Sequence, residues 1–269
     1  MKKKINMFKS LDFKHNKIAT ILYFALRFIV IILLIYNIIV GRYENAFTCL
    51  LVLVLLLLPF ILEEKLKIEI SSSLEVVILL FIFAAQILGE LNAFYQKIPN
   101  WDTMLHTING FVMGAVGFSL VNMLNDSDKA RIKLSPIFLL LASFCFSMTI
   151  GVLWEVFEYS ADCILGVDMQ KDTVVNKINS TTFDPLKENE VYSIDINNVI
   201  VNNEDWTNIY GGYIDIGLHD TMKDLIVNAV GAIFFSVFGY FIIKSKKNLD
   251  YEKLIVIKKR NREKVLVNN

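Results

Sequence analysis

Seven side chains in this sequence have the types and spacing to hold a divalent metal ion: Glu90, Asp102, His106, Glu155, Glu158, Asp220 and Asp224. One imidazole with several carboxylates suits Mn²⁺, Fe²⁺, Mg²⁺ or Zn²⁺. A Glu-x-x-Glu pair such as Glu155 and Glu158 aims two carboxylates from one helix toward one point. With an open coordination position, the ion could activate water or clamp a phosphate. The expected ligands are His106, Glu155, Glu158 and Asp224, with Asp102, Asp220 and Glu90 as ligands or as groups that orient them. Glu155, Glu158 and Asp224 are the expected catalytic groups.

At about 100° per residue, Glu155, Glu158 and Asp162 share a helix face, as do Asp102, His106 and Asn109 on theirs and Asp220, Asp224, Asn228 and Gly231 on a third. Plainer roles compete for several of them. Asp102 and Asp220 are each followed by Thr at an expected helix start, where an N-cap carboxylate satisfies free amides and the dipole. His106 could instead hydrogen-bond Glu90 or Glu155, and Trp101, Trp154 and Tyr159 read as interface anchors. Gly110 and Gly114 have the GxxxG spacing of close helix packing, which Gly117, Gly231 and Gly239 also favour.

The elements that must position these groups are membrane helices. Of the 269 residues 55% are hydrophobic and 20% charged, with a mean hydropathy of +0.50, beyond the usual range of water-soluble domains. The apolar residues come in blocks near the ~20 residues that cross a bilayer core. Six spans are expected, at about 18–40, 46–62, 74–91, 104–124, 137–158 and 223–243, in a single membrane domain covering 1–269. The expected fold class is thus an all-α integral membrane bundle of six transmembrane helices, with the first apolar stretch retained rather than cleaved as a signal peptide. Lys+Arg and Asp+Glu are both 27, which gives no basic surface for nucleic acid. The three cysteines, Cys49, Cys145 and Cys163, form neither a disulfide framework nor a CxxC metal site.

Orientation follows from where the cations sit. Twenty of the 27 Lys and Arg fall on one side: the N-terminus, the loops at Lys65 and Lys129–Lys133, and the tail beyond Ile243. By the positive-inside rule both termini are cytoplasmic in a multi-pass cytoplasmic-membrane protein. The polar ends of the helices and the loop at about 163–219 then face outward. That loop is rich in Asn and Asp, with alternating stretches suited to a hairpin and a Gly211-Gly212 pair suited to a hinge, and its length suits a lid or binding loop. The basic tail reads as a topology anchor touching anionic lipid.

Asp102-Thr103-Met104 and Asp220-Thr221-Met222 open two similar segments, each following a helix with acids at its outer end. They read as a parallel helical-hairpin repeat, helices 3–4 and 5–6. Charged groups are costly against lipid, so the polar stripes must line a protein cavity open to the outside.

Glu90, Asp102…His106…Gly110, Gly151-x-x-Trp154-Glu155-x-x-Glu158-Tyr159, Gln170 and Asp220-Thr221-x-x-Asp224-Leu225-x-x-Asn228-x-x-Gly231 together resemble the YjdF-like family of small bacterial inner-membrane proteins. The resemblance covers about Glu90 to Gly239 and implies a helical membrane fold whose shared polar residues are these; it implies no reaction. Three readings of function stand: a divalent-metal-dependent hydrolase or transferase acting on a lipid or envelope-linked small-molecule substrate, an ion-coupled transporter, and a non-catalytic protein that binds or senses an envelope ligand. Against transport, the inner halves of the helices are nearly all apolar.

Overall fold

The computed structural model describes residues 17–125, 133–244 and 256–259. Lys2, Lys3, Lys4, Lys9, Lys14, His15, Lys129, Arg131 and most of the basic tail lie outside the described residues. Among the described residues, six helical segments are long and apolar enough to cross a membrane: Ile18–Val40, Tyr43–Leu66, Ser72–Leu91, Trp101–Asn125, Pro136–Leu165 and Leu218–Lys244. The fold is an all-α integral membrane architecture.

Several boundaries lie outward of expectation, the second span covering Tyr43–Leu66 rather than 46–62. The fourth span begins at Trp101 rather than 104, the fifth runs to Leu165 rather than 158, and the sixth begins at Leu218 rather than 223. Hydropathy ends a span where polar residues begin, whereas the helix continues while its backbone hydrogen bonds do. Asp102 and Asp220 therefore lie inside first turns rather than at N-caps, where their charge still complements the helix dipole.

The first span is α1 (Lys17–Val40). The second is interrupted: α2 (Tyr43–Leu55) ends before Leu56-Leu57, and α3 (Leu58–Leu66) restarts with Pro59 in its opening turn, where a missing N–H is tolerated. After strand β1 (Ile68–Ile70), the Ser71 hydroxyl caps α4 (Ser72–Ile82) by accepting from the Leu74 N–H at 3.3 Å. The chain continues as a π-helical stretch, Phe83–Leu91. Short α5 (Phe94–Lys97) then precedes α6 (Trp101–Asn125) and α7 (Pro136–Leu165).

The segment after α7 is built from short ribbons. Its strands are β2 (Val174–Val175), β3 (Lys177–Ser180), β4 (Tyr192–Asp195), β5 (Ile200–Val201), β6 (Glu204–Asp205) and β7 (Tyr213–Ile214), with α8 (Trp206–Tyr210) before β7. The antiparallel pairs are β3 with β4, β5 with β6, and β2 with β7. The Gly211-Gly212 pair is a cap and a close approach. Gly211 ends α8 at φ +92°, and a Cβ on Gly212 would lie 2.4 Å from Asn176 Oδ1. Helix α9 (Leu218–Lys244) follows, and strand β8 (Ile257–Lys259) lies in the tail.

The chain divides into two compact units, Met1–Thr149 with Val227–Asn269, and Ile150–Ile226. In the first, Leu26 and Val30 of α1, Cys49 and Val52 of α2, and Leu79 and Ile82 of α4 form one buried cluster. Phe118, Leu139, Leu140 and Phe235 form another. The tail contributes to this unit in a way its basic composition does not reveal. β8 pairs antiparallel with β1, Ile257 and Ile68 are buried together, and the Val256 N–H donates to Ser119 Oγ at 2.9 Å. Ile257–Lys259 is thus a strand anchored by the buried Ile257.

Candidate functional site

In the first unit the polar residues sit at the start of α6. Asp102 and His106 are one turn apart on the same face, with Asp102 Oδ1 3.4 Å from His106 Nε2. Their side chains are 20% and 11% exposed, so the two form a largely enclosed Asp–His pair. The sequence reading offered Glu90 or Glu155 as the partner of His106; the structure adds Asp102 on its own helix. Glu90, at the end of the π-helical stretch, is exposed.

One helical turn further in, Asn109 Nδ2 donates to Asn228 Oδ1 at 3.1 Å, joining α6 to α9. Asn228 is fully buried, and its own Nδ2 donates to the Ser147 carbonyl at 3.4 Å. Close backbone contact makes this possible. A Cβ on Gly110 would lie 2.0 Å from the Asn228 carbonyl oxygen, and one on Gly231 would lie 2.0 Å from that of Thr107. From α7, Ser143 and Ser147 donate to the carbonyls of Gly114 at 2.5 Å and Gly110 at 2.8 Å. Sequence reasoning passed over these two serines. Their signal was their four-residue spacing, continued by Gly151 and Glu155 along one stripe of α7.

In the second unit Glu155, Glu158, Asp220 and Asp224 are all buried, with Asp224 only 2% exposed. The Trp154 indole N–H donates to Glu158 Oε1 at 2.8 Å, which orients that carboxylate. Trp154, expected as an interface anchor, is therefore also a positioning group. Asp162 accepts from the backbone N–H groups of Met169 at 2.6 Å and Gln170 at 2.9 Å, fixing the chain as it leaves α7. Buried Gln170 donates through Nε2 to Thr221 Oγ1 at the start of α9. The Lys171 N–H donates to Asp220 Oδ2 at 2.8 Å, while Lys223 Nζ lies 3.9 Å from Asp220 Oδ1. Asp220 is thus committed to holding the loop as well as being a ligand candidate. His219 is exposed, and its backbone N–H donates to Asp215 Oδ2 at 3.0 Å.

Two loop aspartates act as anchors that sequence did not single out. Burial tends to raise the Asp215 pKa, but the amides of Thr173, His219 and Gly217 outweigh it and hold the carboxyl below its ordinary value. For Asp184 the same opposition ends the same way, with hydrogen bonds from Leu186, Glu190 and Glu188 prevailing over desolvation. A lowered folded-state pKa means stabilisation that is present above the unfolded carboxylate value of about 4 and lost as pH falls through the folded value. Hydrogen exchange of the 166–217 segment, corrected for intrinsic rates, should therefore show protection constant from neutral pH down to about 4 and falling below it. Asp215→Asn should flatten that acid dependence, and an unchanged profile would remove Asp215 from the explanation.

Together these observations define a multi-pass helical membrane protein with a largely enclosed Asp–His pair and further buried carboxylates. The chain belongs to the predicted membrane protein family DUF2238, whose pattern matches residues 21–245, consistent with the YjdF-like resemblance. A curated Thermotoga maritima protein described as "Uncharacterized protein" is 27% identical over 107 residues, 40% of this chain. The match spans 53% of that relative's length. No solved structure matches the chain.

Proposed function

We propose that this protein binds a divalent metal ion through His106 and a subset of Asp102, Glu155, Glu158, Asp220, Asp224 and Glu90. The ion serves hydrolysis or group transfer on a lipid or envelope-linked substrate at the outer face of the cytoplasmic membrane, both termini being cytoplasmic. The supporting observation is the Asp102–His106 pair, an imidazole and a carboxylate oxygen 3.4 Å apart at a largely enclosed helix start. The burial of Glu155, Glu158, Asp220 and Asp224 adds oxygen donors of the kind that hard and borderline divalent ions take. Acids held inside membrane helices mark ion or substrate sites more often than packing. A bound ion would supply Lewis-acid polarisation or an activated water.

Elemental mass spectrometry of the protein purified without chelator tests the reading. Near-stoichiometric Mn, Fe, Zn or Mg is expected, with most of it lost in His106→Ala and Asp224→Asn variants that retain wild-type thermal stability. Absence of metal after soaking with Mn²⁺, Zn²⁺ or Mg²⁺ overturns it.

A further inference from the structure

A cavity of about 610 Å³ lies among α1, the break between α2 and α3, and α4, within one compact unit. The metal proposal does not use it. Its α1 wall carries Thr20, Tyr23, Arg27 and Ile31, and its α4 wall carries Glu75 and Leu79. The interrupted span closes it with Leu56, Leu57, Pro59 and Phe60. The break between α2 and α3 therefore faces this space.

Polarity is sorted along the cavity. Thr20, Tyr23 and Arg27 lie in the first half of α1 and Glu75 in the first turn of α4, whereas Ile31 and Leu79 lie deeper. The first and third of successive spans run the same way through a membrane, so the polar residues collect at one end. Arg27 is turned back toward that end. Its Cζ lies 5.6 Å from the centre of the Tyr23 ring, one turn earlier, and Nη1 donates to Tyr23 Oη. Among the described residues no carboxylate forms an ion pair with Arg27, and a guanidinium has five donors to place. An arginine inside an apolar span is a functional signal.

The outer wall of the cavity is open to the bilayer, with Phe24 43%, Phe28 66% and Ile31 39% exposed. We propose that the cavity is a phospholipid site selective for a zwitterionic headgroup bearing a primary ammonium. Arg27 and Tyr23 take the phosphate, Glu75 takes the ammonium, and the upper acyl chain lies against Ile31, Leu79 and Phe60. A guanidinium fork matches phosphate oxygens. The Glu75 carboxylate disfavours a purely anionic headgroup, and a quaternary ammonium has no N–H to give it. The volume is within the range of small-molecule sites and accommodates a headgroup with part of a chain.

The test is native mass spectrometry of the full-length, delipidated protein with an equimolar mixture of chain-matched phosphatidylethanolamine, phosphatidylcholine and phosphatidylglycerol. Phosphatidylethanolamine adducts are expected to exceed the other two about tenfold, and Arg27→Gln to cut them about tenfold, an effect of one lost charge-assisted contact. Glu75→Gln is expected to keep lipid binding while bringing the three lipids to about equal occupancy. Equal binding of all three lipids by the wild type, or preference for phosphatidylglycerol, overturns the headgroup assignment. Unchanged adducts in Arg27→Gln overturn the site. Should that variant misfold, Ile31→Trp on the exposed wall fills the chain end, and unchanged adducts there overturn the site equally.

Discussion

Gly231→Ala and Gly110→Ala are each expected to destabilise the folded protein by about 3 kcal/mol or more, at the upper end of the overpacking range. The added methyl would sit 2.0 Å from a backbone carbonyl oxygen in both cases, of Thr107 and Asn228 respectively. A flexible side-chain tip could swing aside, but a carbonyl can retreat only if α6 and α9 separate. Separation also lengthens the Asn109–Asn228 bond between the two helices and disturbs the bond from Asn228 to the Ser147 carbonyl. In lipid there is no hydrophobic gain to recover elsewhere, because the helices are held by packing and interhelical hydrogen bonds. Thermal unfolding in a mild detergent, beside Val230→Ala on the exposed face of α9, is the measurement. A midpoint for the glycine variants within about 1 °C of that control would mean that the two helices do not meet backbone to backbone.

How much of this was legible in the sequence depends on the range over which each feature is written. Hydropathy is local and strong, so all six spans were readable, and so were the polar stripes, because 3.6-residue periodicity places Asp220, Asp224, Asn228 and Gly231 on one face. All four are buried in the structure. The GxxxG spacing correctly pointed to close packing at Gly110. What stayed hidden depends on a partner remote in sequence. β1 is three residues long, and only its pairing with β8, nearly two hundred residues later, makes it a strand. The break at Leu56-Leu57 is invisible to a hydropathy window, which averages over it. Trp154 looked like an interface residue because an indole suits both a membrane interface and the Glu158 carboxylate one turn away. In the loop, the alternating stretch Val191–Ile196 did mark β4, but the stretch alone could not show that its partner is β3.

Asp162→Ala is expected to release the start of the loop, shifting the local opening equilibrium of residues 166–175 by roughly thirtyfold, or about 2 kcal/mol, for two lost bonds to a charged acceptor. The carboxylate holds the Met169 and Gln170 amides, and Gln170 in turn reaches Thr221 while Lys171 reaches Asp220. Gly217 is pressed against the same place, at φ +88° and with a Cβ position 2.6 Å from that of Gln170. Asp162→Asn keeps one acceptor oxygen and should lose about half as much. Hydrogen exchange by mass spectrometry reads both, and equal protection in wild type and Asp162→Ala would show that the loop is fixed by its ribbons alone. The variant also separates two roles that a substitution of Asp220 confounds. Replacing Asp220 removes a candidate ligand and a loop anchor together, whereas replacing Asp162 loosens the loop with every proposed metal ligand intact. If Asp162→Ala frees the loop and the metal content stays at the wild-type level, the ion is held by the helices. If metal is lost with the loop, an ordered loop is part of the site, and Asp220 contributes through its bond to Lys171 as much as through its charge.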